Sequence, residues 1–143
     1  MRLLVAVDGS EQSDNALAYA VRVAEATDGS VTVVHAVDPS VQEVAEAPPD
    51  GDDRFVVEDE EDAETRAERV VAAAVDDVGD RVPVVSELIH GDPRETIPDL
   101  AASEGYDGIV VGHRGLSARQ ERVLGSVAKS LVERSTVPVT VVS

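Results

Sequence analysis

The chain has 143 residues and a formal net charge of −17, from 29 acidic and 12 basic residues. This charge repels polyanions and argues against nucleic acid as a partner, and the lack of cysteine excludes disulfides and thiolate metal sites. The length predicts one domain, residues 1–143, with a single core.

The acidic residues admit three interpretations: plain solubility, an acidic or disordered tail, and adaptation to a very salty cytoplasm. We favour the third, because the acids are spread along a chain with periodic apolar patterning and Lys129 is its only lysine. The segment MRLLVAVDGS is too briefly apolar for a signal peptide, and no apolar run is long enough to span a membrane. We therefore expect a cytoplasmic protein of a halophile, a haloarchaeon.

Five short apolar segments predict β-strands, and amphipathic helical segments separate them. The strands are predicted at residues 3–7, 30–37, 82–89, 108–111 and 137–142. Three of them (LLVAV, GIVV and VPVTVV) are continuous apolar runs, which are typical of strands buried on both faces of a parallel sheet. Apolar residues repeat at helical spacing in four segments: Ala16, Leu17, Ala20, Val21 and Ala24; Ala67, Val70, Val71, Ala74, Val75 and Val78; Ile97, Leu100 and Ala101; and Val123, Leu124, Val127, Ala128, Leu131 and Val132. The alternation predicts an α/β, Rossmann-like fold, an open five-stranded parallel sheet with right-handed crossovers and helices on both faces.

The connections carry turn and cap signals. After the first strand, DGS predicts a turn in which Ser10 or Ser13 caps the next helix. A capping box with proline in the first turn is predicted at Asp92, Pro93 and Glu95. Residues 38–57 lack clean periodicity and predict a long loop, whereas the acidic EDEEDAE that follows favours the start of a helix.

The segment GHRGLSARQERVLGS, from Gly112 to Ser126, combines three glycines with basic residues. In an open parallel sheet the ligand lies beyond the carboxyl ends of the strands, where the winding direction switches. Gly112 and Gly115 would allow positive φ there, so that backbone N–H groups form an anion-binding nest. Gly125 and Ser126 would open the last helix, whose unpaired N–H groups also suit a phosphate.

Positive charge gathers in the same segment. Residues 114–129 contain one acid, Glu121, and four of the 12 basic residues: Arg114, Arg119, Arg122 and Lys129. In a chain of net charge −17 this is a local reversal of sign. Spacing and charge leave two interpretations open, a phosphate site or a simple turn with a helix break and a solvated loop.

The pattern GHRG, followed after nine residues by GS, has the spacing G-x-x-G-x9-G-S/T. With LLVAVDGSEQSDNALAYAV, VTVVHAVD, HGDPRETI and LGSVAKSLVERSTVPVTVV, it makes the chain resemble the ATP-binding branch of the universal stress protein family along its whole length, although residues 38–80 add little. The resemblance implies a strand order of 3-2-1-4-5, with ATP, with or without Mg²⁺, between strands 1 and 4.

The resemblance also implies which residues contact the nucleotide. Asp8 would face the ribose and adenine, and Ala36 would line the adenine pocket. Ala6 stands where some ATP-binding members have proline, and Ala36 stands where valine is usual, so that the base pocket would be wider. The full implied set is Ala6, Val7, Asp8, Ala36, Gly112, His113, Arg114, Gly115, Gly125, Ser126 and Val127.

The function that the resemblance implies is that of a nucleotide-dependent stress-response regulator or sensor, not an enzyme with useful turnover. Two alternatives remain, a slow ATPase or autophosphorylating protein with Ser126 as acceptor, and a structural dimer without nucleotide. No catalytic or metal site is predicted, because Ser126 has no evident base and the histidines lack metal-ligand spacing. The apolar strand 137–142 would be an exposed sheet edge, and the resemblance implies a homodimer through it.

Overall fold

The computed structural model describes residues 1–37, 60–113 and 126–143, so the predicted loop at 38–57 lies outside the described residues. The strands are β1 (Arg2–Ala6), β2 (Ser30–Val37), β3 (Val84–His90), β4 (Gly108–Gly112) and β5 (Val139–Val142). The helices are α1 (Glu11–Thr27), α2 (Glu60–Val78), α3 (Pro93–Ser103) and α4 (Ser126–Arg134). The predicted alternation of strands and helices is confirmed. The helix predicted to start in the acidic segment EDEEDAE is α2, which begins at Glu60.

The five strands form one sheet in the order β3-β2-β1-β4-β5, which confirms the predicted fold class and order. Every neighbouring pair is parallel. At the centre, Ala6 of β1 lies opposite Val34 of β2 on one side and Val111 of β4 on the other. All carboxyl ends therefore meet at one edge, and the winding switches between β1 and β4.

Helices cover both faces of the sheet, because side chains alternate between the faces along each strand. On the face of α1 and α2, the buried cluster includes Val5, Val33 and Val110 together with Ala16, Ala20, Ala24 and Ala74 from the helices. On the face of α3 and α4, it includes Leu4, Val34 and Ile109 with Ile97 and Leu131 from the helices. Small alanine side chains let α1 approach the sheet closely.

The helix starts agree in part with the predicted caps. Ser10 is the N-cap of α1, since its Oγ accepts a hydrogen bond from Ser13 N at 3.1 Å. Asp92 is the N-cap of α3 and accepts from the backbone N of Arg94 at 2.9 Å. The carboxylate of Glu95, expected to complete a capping box, pairs with Arg134 of α4 at 3.5 Å, and so links two neighbouring helices.

At the amino end of the sheet, Tyr106 closes the core on the face of α3 and α4. Its hydroxyl donates to Thr32 Oγ1 at 3.0 Å, and both side chains are buried. The guanidinium of Arg2 lies 4.5 Å from the centre of the Tyr106 ring and donates to the carbonyl of Glu104 at 2.7 Å. The contacts of Tyr106 and Arg2 therefore close the amino end of the sheet. The candidate ligand site lies at the carboxyl end.

Candidate functional site

The carboxyl edge of β1 and β4 brings together most of the described candidate residues. Ala6 ends β1 and Gly112 ends β4, and these strands pair directly. Val7 and Asp8 follow Ala6, and His113 follows Gly112. These residues therefore lie at the switch point of the sheet, where open α/β sheets bind ligands, and their contacts with a nucleotide stay a prediction.

The candidate side chains divide between the two faces of the sheet. Ala6 packs at the margin of the cluster on the face of α3 and α4 and is only partly buried. Ala36 is also partly buried and lies two residues beyond Val34 of the same cluster, so it belongs to the same face. Val7 is 5% exposed in the opposite core, so only its backbone can border a ligand.

The turn after β1 is built by hydrogen bonds within residues 8–13. Gly9 has φ of 81°, a conformation that glycine adopts without steric cost. Asp8 Oδ1 accepts from Ser10 N at 2.9 Å, and Asp8 N donates to Ser13 Oγ at 3.3 Å. The exposed carboxylate of Asp8 is therefore held at the start of α1, beside the carboxyl edge of the sheet.

His35 of β2 holds the other side of the same turn. Its Nδ1 lies 2.5 Å from the carbonyl oxygen of Val7, and since a carbonyl only accepts, Nδ1 carries the hydrogen. The side chain is 9% exposed, and Nε2 is buried without a hydrogen-bond partner in the described parts of the chain. In the sequence, His35 is marked only as one of two polar residues, with Thr32, inside the segment VTVVHAV.

Gly112 serves a different purpose from the one predicted. The described glycines with positive φ are Gly9, Gly79, Gly91 and Gly105, so the expectation of a positive-φ nest at Gly112 was wrong. A Cβ at Gly112 would lie 2.5 Å from the carbonyl carbon and oxygen of Gln12. The glycine is needed because the first turn of α1 passes directly against the end of β4.

The backbone after Gly112 also remains in the sheet for one more residue. His113 N donates to the carbonyl of Val142 at 2.7 Å, so this N–H is engaged with β5 and does not turn toward the crevice. The predicted Arg114, Gly115 and Gly125 lie outside the described residues. Nucleotide contacts predicted for these three positions therefore stay predictions.

The last helix begins where the sequence predicted, with Ser126 as its first residue. Val127 is partly buried and packs against the cluster between the sheet and α4. The amino end of α4 follows β4 in the chain and precedes β5. Its first turn contains no acidic residue, which leaves the positive end of the helix dipole without a carboxylate of its own helix.

The start of α1 is electrostatically different. The pKa of Asp14 is raised by desolvation and then by three nearby carboxylates, those of Asp77, Asp8 and Glu11. A raised pKa means that this region disfavours negative charge. The start of α1 is therefore an acidic part of the carboxyl edge, with four carboxylates near one another.

The ionisable groups near β3 and α3 are paired. The hydrogen bond from the Arg94 guanidinium lowers the pKa of the Asp92 carboxyl, and the two groups are 2.6 Å apart. His90 Nε2 lies 3.3 Å from Glu64 Oε1. Within residues 1–37, 60–113 and 126–143, no group of three or more histidine, aspartate or glutamate residues is placed to hold a metal ion.

None of the helices that the structure describes is long and apolar enough to cross a membrane. The longest helix in the described part of the chain, α2, has 19 residues, and acidic residues occur along its length.

The chain is similar to known proteins along nearly its whole length. The model of the universal stress protein family matches residues 1–143. A universal stress protein of Thermus aquaticus is 35% identical over 141 residues, which are 98% of this chain and 96% of the relative. Among solved structures, the universal stress protein UspA from Lactobacillus plantarum has 25% identity and a TM-score of 0.76, covering 100% of this chain and 97% of that one. A universal stress protein in complex with cAMP has 26% identity and a TM-score of 0.63, covering 99% and 95%.

Proposed function

The chain belongs to the universal stress protein family, and from that membership we propose that it binds an adenine nucleotide, ATP foremost, at the carboxyl edge between β1 and β4. In this proposal the protein is a nucleotide-dependent regulator or sensor in the stress response. The observation that carries the proposal is the pairing of β1 with β4. This pairing brings the turn at Asp8 beside the strand that leads into the glycine motif.

The described residues suggest how the nucleotide would lie. Ala6 and Ala36 present small, partly exposed side chains on one face, which leaves space for a base. The carboxylates around Asp14 repel a phosphate chain from α1. The amino end of α4 has no acid in its first turn and would attract the phosphates through its N–H groups and dipole.

The class of ligand is supported by the solved relative that was crystallised with cAMP. That complex concerns the relative, and it makes an adenine base the first choice for this chain. The choice of ATP over a cyclic or monophosphate nucleotide depends on the sequence pattern from Gly112 to Ser126, because more phosphates need more backbone donors. Competition between ATP and cAMP for the purified protein decides this choice.

The test begins with mass spectrometry of small molecules released from the purified protein, followed by calorimetric titration with ATP and with cAMP. We expect an adenine nucleotide to be bound or to bind, and Gly125→Val to lose binding while circular dichroism remains that of the wild type. Gly108→Ala is the control, because Gly108 lies at the amino end of β4, away from the candidate site. This variant should bind ATP normally. Unchanged ATP affinity in folded Gly125→Val protein would contradict the proposal.

We propose a regulator and not an enzyme because the sequence shows no evident base that would activate Ser126. The alternative, slow hydrolysis or autophosphorylation, makes a distinct prediction. Phosphate release or phosphate incorporation would then be measurable in the wild type and would fall in Ser126→Ala. Equal, negligible rates in both proteins agree with a binding role.

We further propose that two copies associate through β5 and that the protein works in concentrated salt. β5 is an edge strand of the sheet, and exposed edges favour pairing with another chain. The net charge of −17 would be tolerated best where salt screens it.

A further inference from the structure

The peptide group between Val7 and Asp8 is held from both sides at the carboxyl edge of the sheet. Its carbonyl oxygen accepts from His35 Nδ1 at 2.5 Å. Its N–H donates to Ser13 Oγ at 3.3 Å. One partner comes from β2 and the other from α1, so the orientation of this peptide depends on both of these elements.

The position of His35 explains why an imidazole can do this. It lies between Val33 and Val37 on β2, and these valines are buried on the face of α1 and α2. Across the sheet it is in register with Leu88 of β3. These apolar neighbours confine the ring, while Val7, one residue beyond β1, presents its carbonyl to Nδ1.

The arrangement has an energetic cost that points to a function. His35 Nε2 is buried without a hydrogen-bond partner among the residues that the structure describes, and a buried unpaired polar atom destabilises a fold. An apolar residue of similar size would avoid this cost in an apolar strand. The contact that only the histidine supplies is the hydrogen bond to the carbonyl of Val7.

We infer that His35 is a positioning residue for nucleotide binding, acting through the carbonyl of Val7; this inference rests on the proposed function. The Val7–Asp8 peptide directly precedes the turn that holds the Asp8 carboxylate. Fixing this peptide fixes the direction in which the chain leaves β1 and the place of Asp8 at the crevice. His35 itself faces the opposite core and does not contact the ligand.

The test compares His35→Leu with His35→Asn. Leucine keeps the apolar bulk and removes the donor, whereas the asparagine amide keeps an N–H close to the position of Nδ1. We expect ATP binding to weaken about three- to tenfold in His35→Leu, the effect of losing one hydrogen bond, and to recover in His35→Asn. Hydrogen exchange should accelerate at the Asp8 amide in His35→Leu and remain unchanged at the Asp107 amide, which bonds to Arg2 at the other end of the sheet.

The other outcomes each overturn the inference. Equal ATP affinity in the wild type and both variants would leave the proposed function intact and remove the role of His35. Faster exchange at Asp8 and Asp107 alike in His35→Leu would mean a general loss of stability. A wild-type protein that binds neither ATP nor cAMP would overturn the proposed function and this inference with it.

Discussion

Gly112 at the end of β4 and Gln12 in the first turn of α1 are in such close contact that a Cβ on Gly112 would lie 2.5 Å from the carbonyl carbon of Gln12. Backbone atoms cannot move aside as the end of a flexible side chain can. A glycine that the sequence pattern associates with phosphate binding is therefore required first for packing a helix on the sheet.

Gly112→Ala should consequently destabilise the protein, by about 1 to 3 kcal/mol for overpacking. Gly108→Ala is the matched control in the same strand, because its nearest neighbours, Pro138 O and Leu3 Cδ2, would be 3.4 and 3.5 Å from a Cβ. We expect that control to change stability by less than about 1 kcal/mol. Urea unfolding measures both variants, and equal midpoints would show that α1 can shift away from β4 without cost.

The acidic region at the start of α1 predicts a pH-dependent effect. The pKa of Asp14 is raised from 3.8, first by desolvation and then by neighbouring carboxylates. The folded state therefore binds this proton more readily than the unfolded state. Ionised Asp14 destabilises the fold above its folded pKa, and the penalty disappears as the pH falls through that pKa toward 3.8.

Asp14→Asn should accordingly raise the urea midpoint near about pH 7, and the gain should shrink toward zero as the pH approaches about 3. Asp99→Asn, an exposed change on α3, controls for the general decrease in negative charge. A gain that is the same at every pH, or no larger than that of Asp99→Asn, would contradict the assignment.

The net charge of −17 predicts that salt assists both folding and nucleotide binding. Salt shortens the Debye length from about 10 Å at 0.1 M to about 3 Å at 1 M, which suppresses repulsion within the chain and between chain and ATP. Calorimetry should show that ATP affinity holds or rises between about 0.1 M and 2 M KCl. A steady loss of affinity in folded protein would mean that long-range attraction by the basic segment drives binding.

The proposed pairing through β5 predicts a dimer that one exposed residue controls. Val139 and Val141 pack against the cluster under α4, so charges there would damage the fold as well as the edge. Thr140 is exposed, and Thr140→Lys places a charge on the edge without entering the core. Light scattering in molar salt should give a dimer for the wild type and a smaller mass for Thr140→Lys, with Thr27→Lys on α1 remaining dimeric.

Much of the fold could be predicted because its causes are local in the sequence. Continuous apolar runs identified β1 and β4 as buried parallel strands and also located β5, which is only partly buried. The Ser10 and Asp92 signals located two helix starts. Glu95 shows the limit. Its local context predicted a capping box, but its ion pair with Arg134 depends on which helix lies beside α3.

The candidate site was predictable in position and less so in detail. The strand order that the family resemblance implies puts β1 beside β4, and so puts Asp8 and Gly112 at the same edge of the sheet. The reason for Gly112 depends on how closely α1 approaches β4, and the contact of His35 with Val7 joins residues 28 apart in the chain. Neither of these two contacts can be predicted from the spacing of residues along the chain.

Tyr106, at the amino end of the sheet, can serve as an intrinsic optical probe of folding. The chain has no tryptophan and two tyrosines, so replacing Tyr19 by phenylalanine would leave Tyr106 as the single phenol chromophore. Its hydroxyl bond to Thr32 spans 74 positions of the chain, joining β2 to the segment that enters β4. The ultraviolet spectrum of Tyr19→Phe protein would therefore follow the assembly of the two halves of the sheet in real time, without any attached dye.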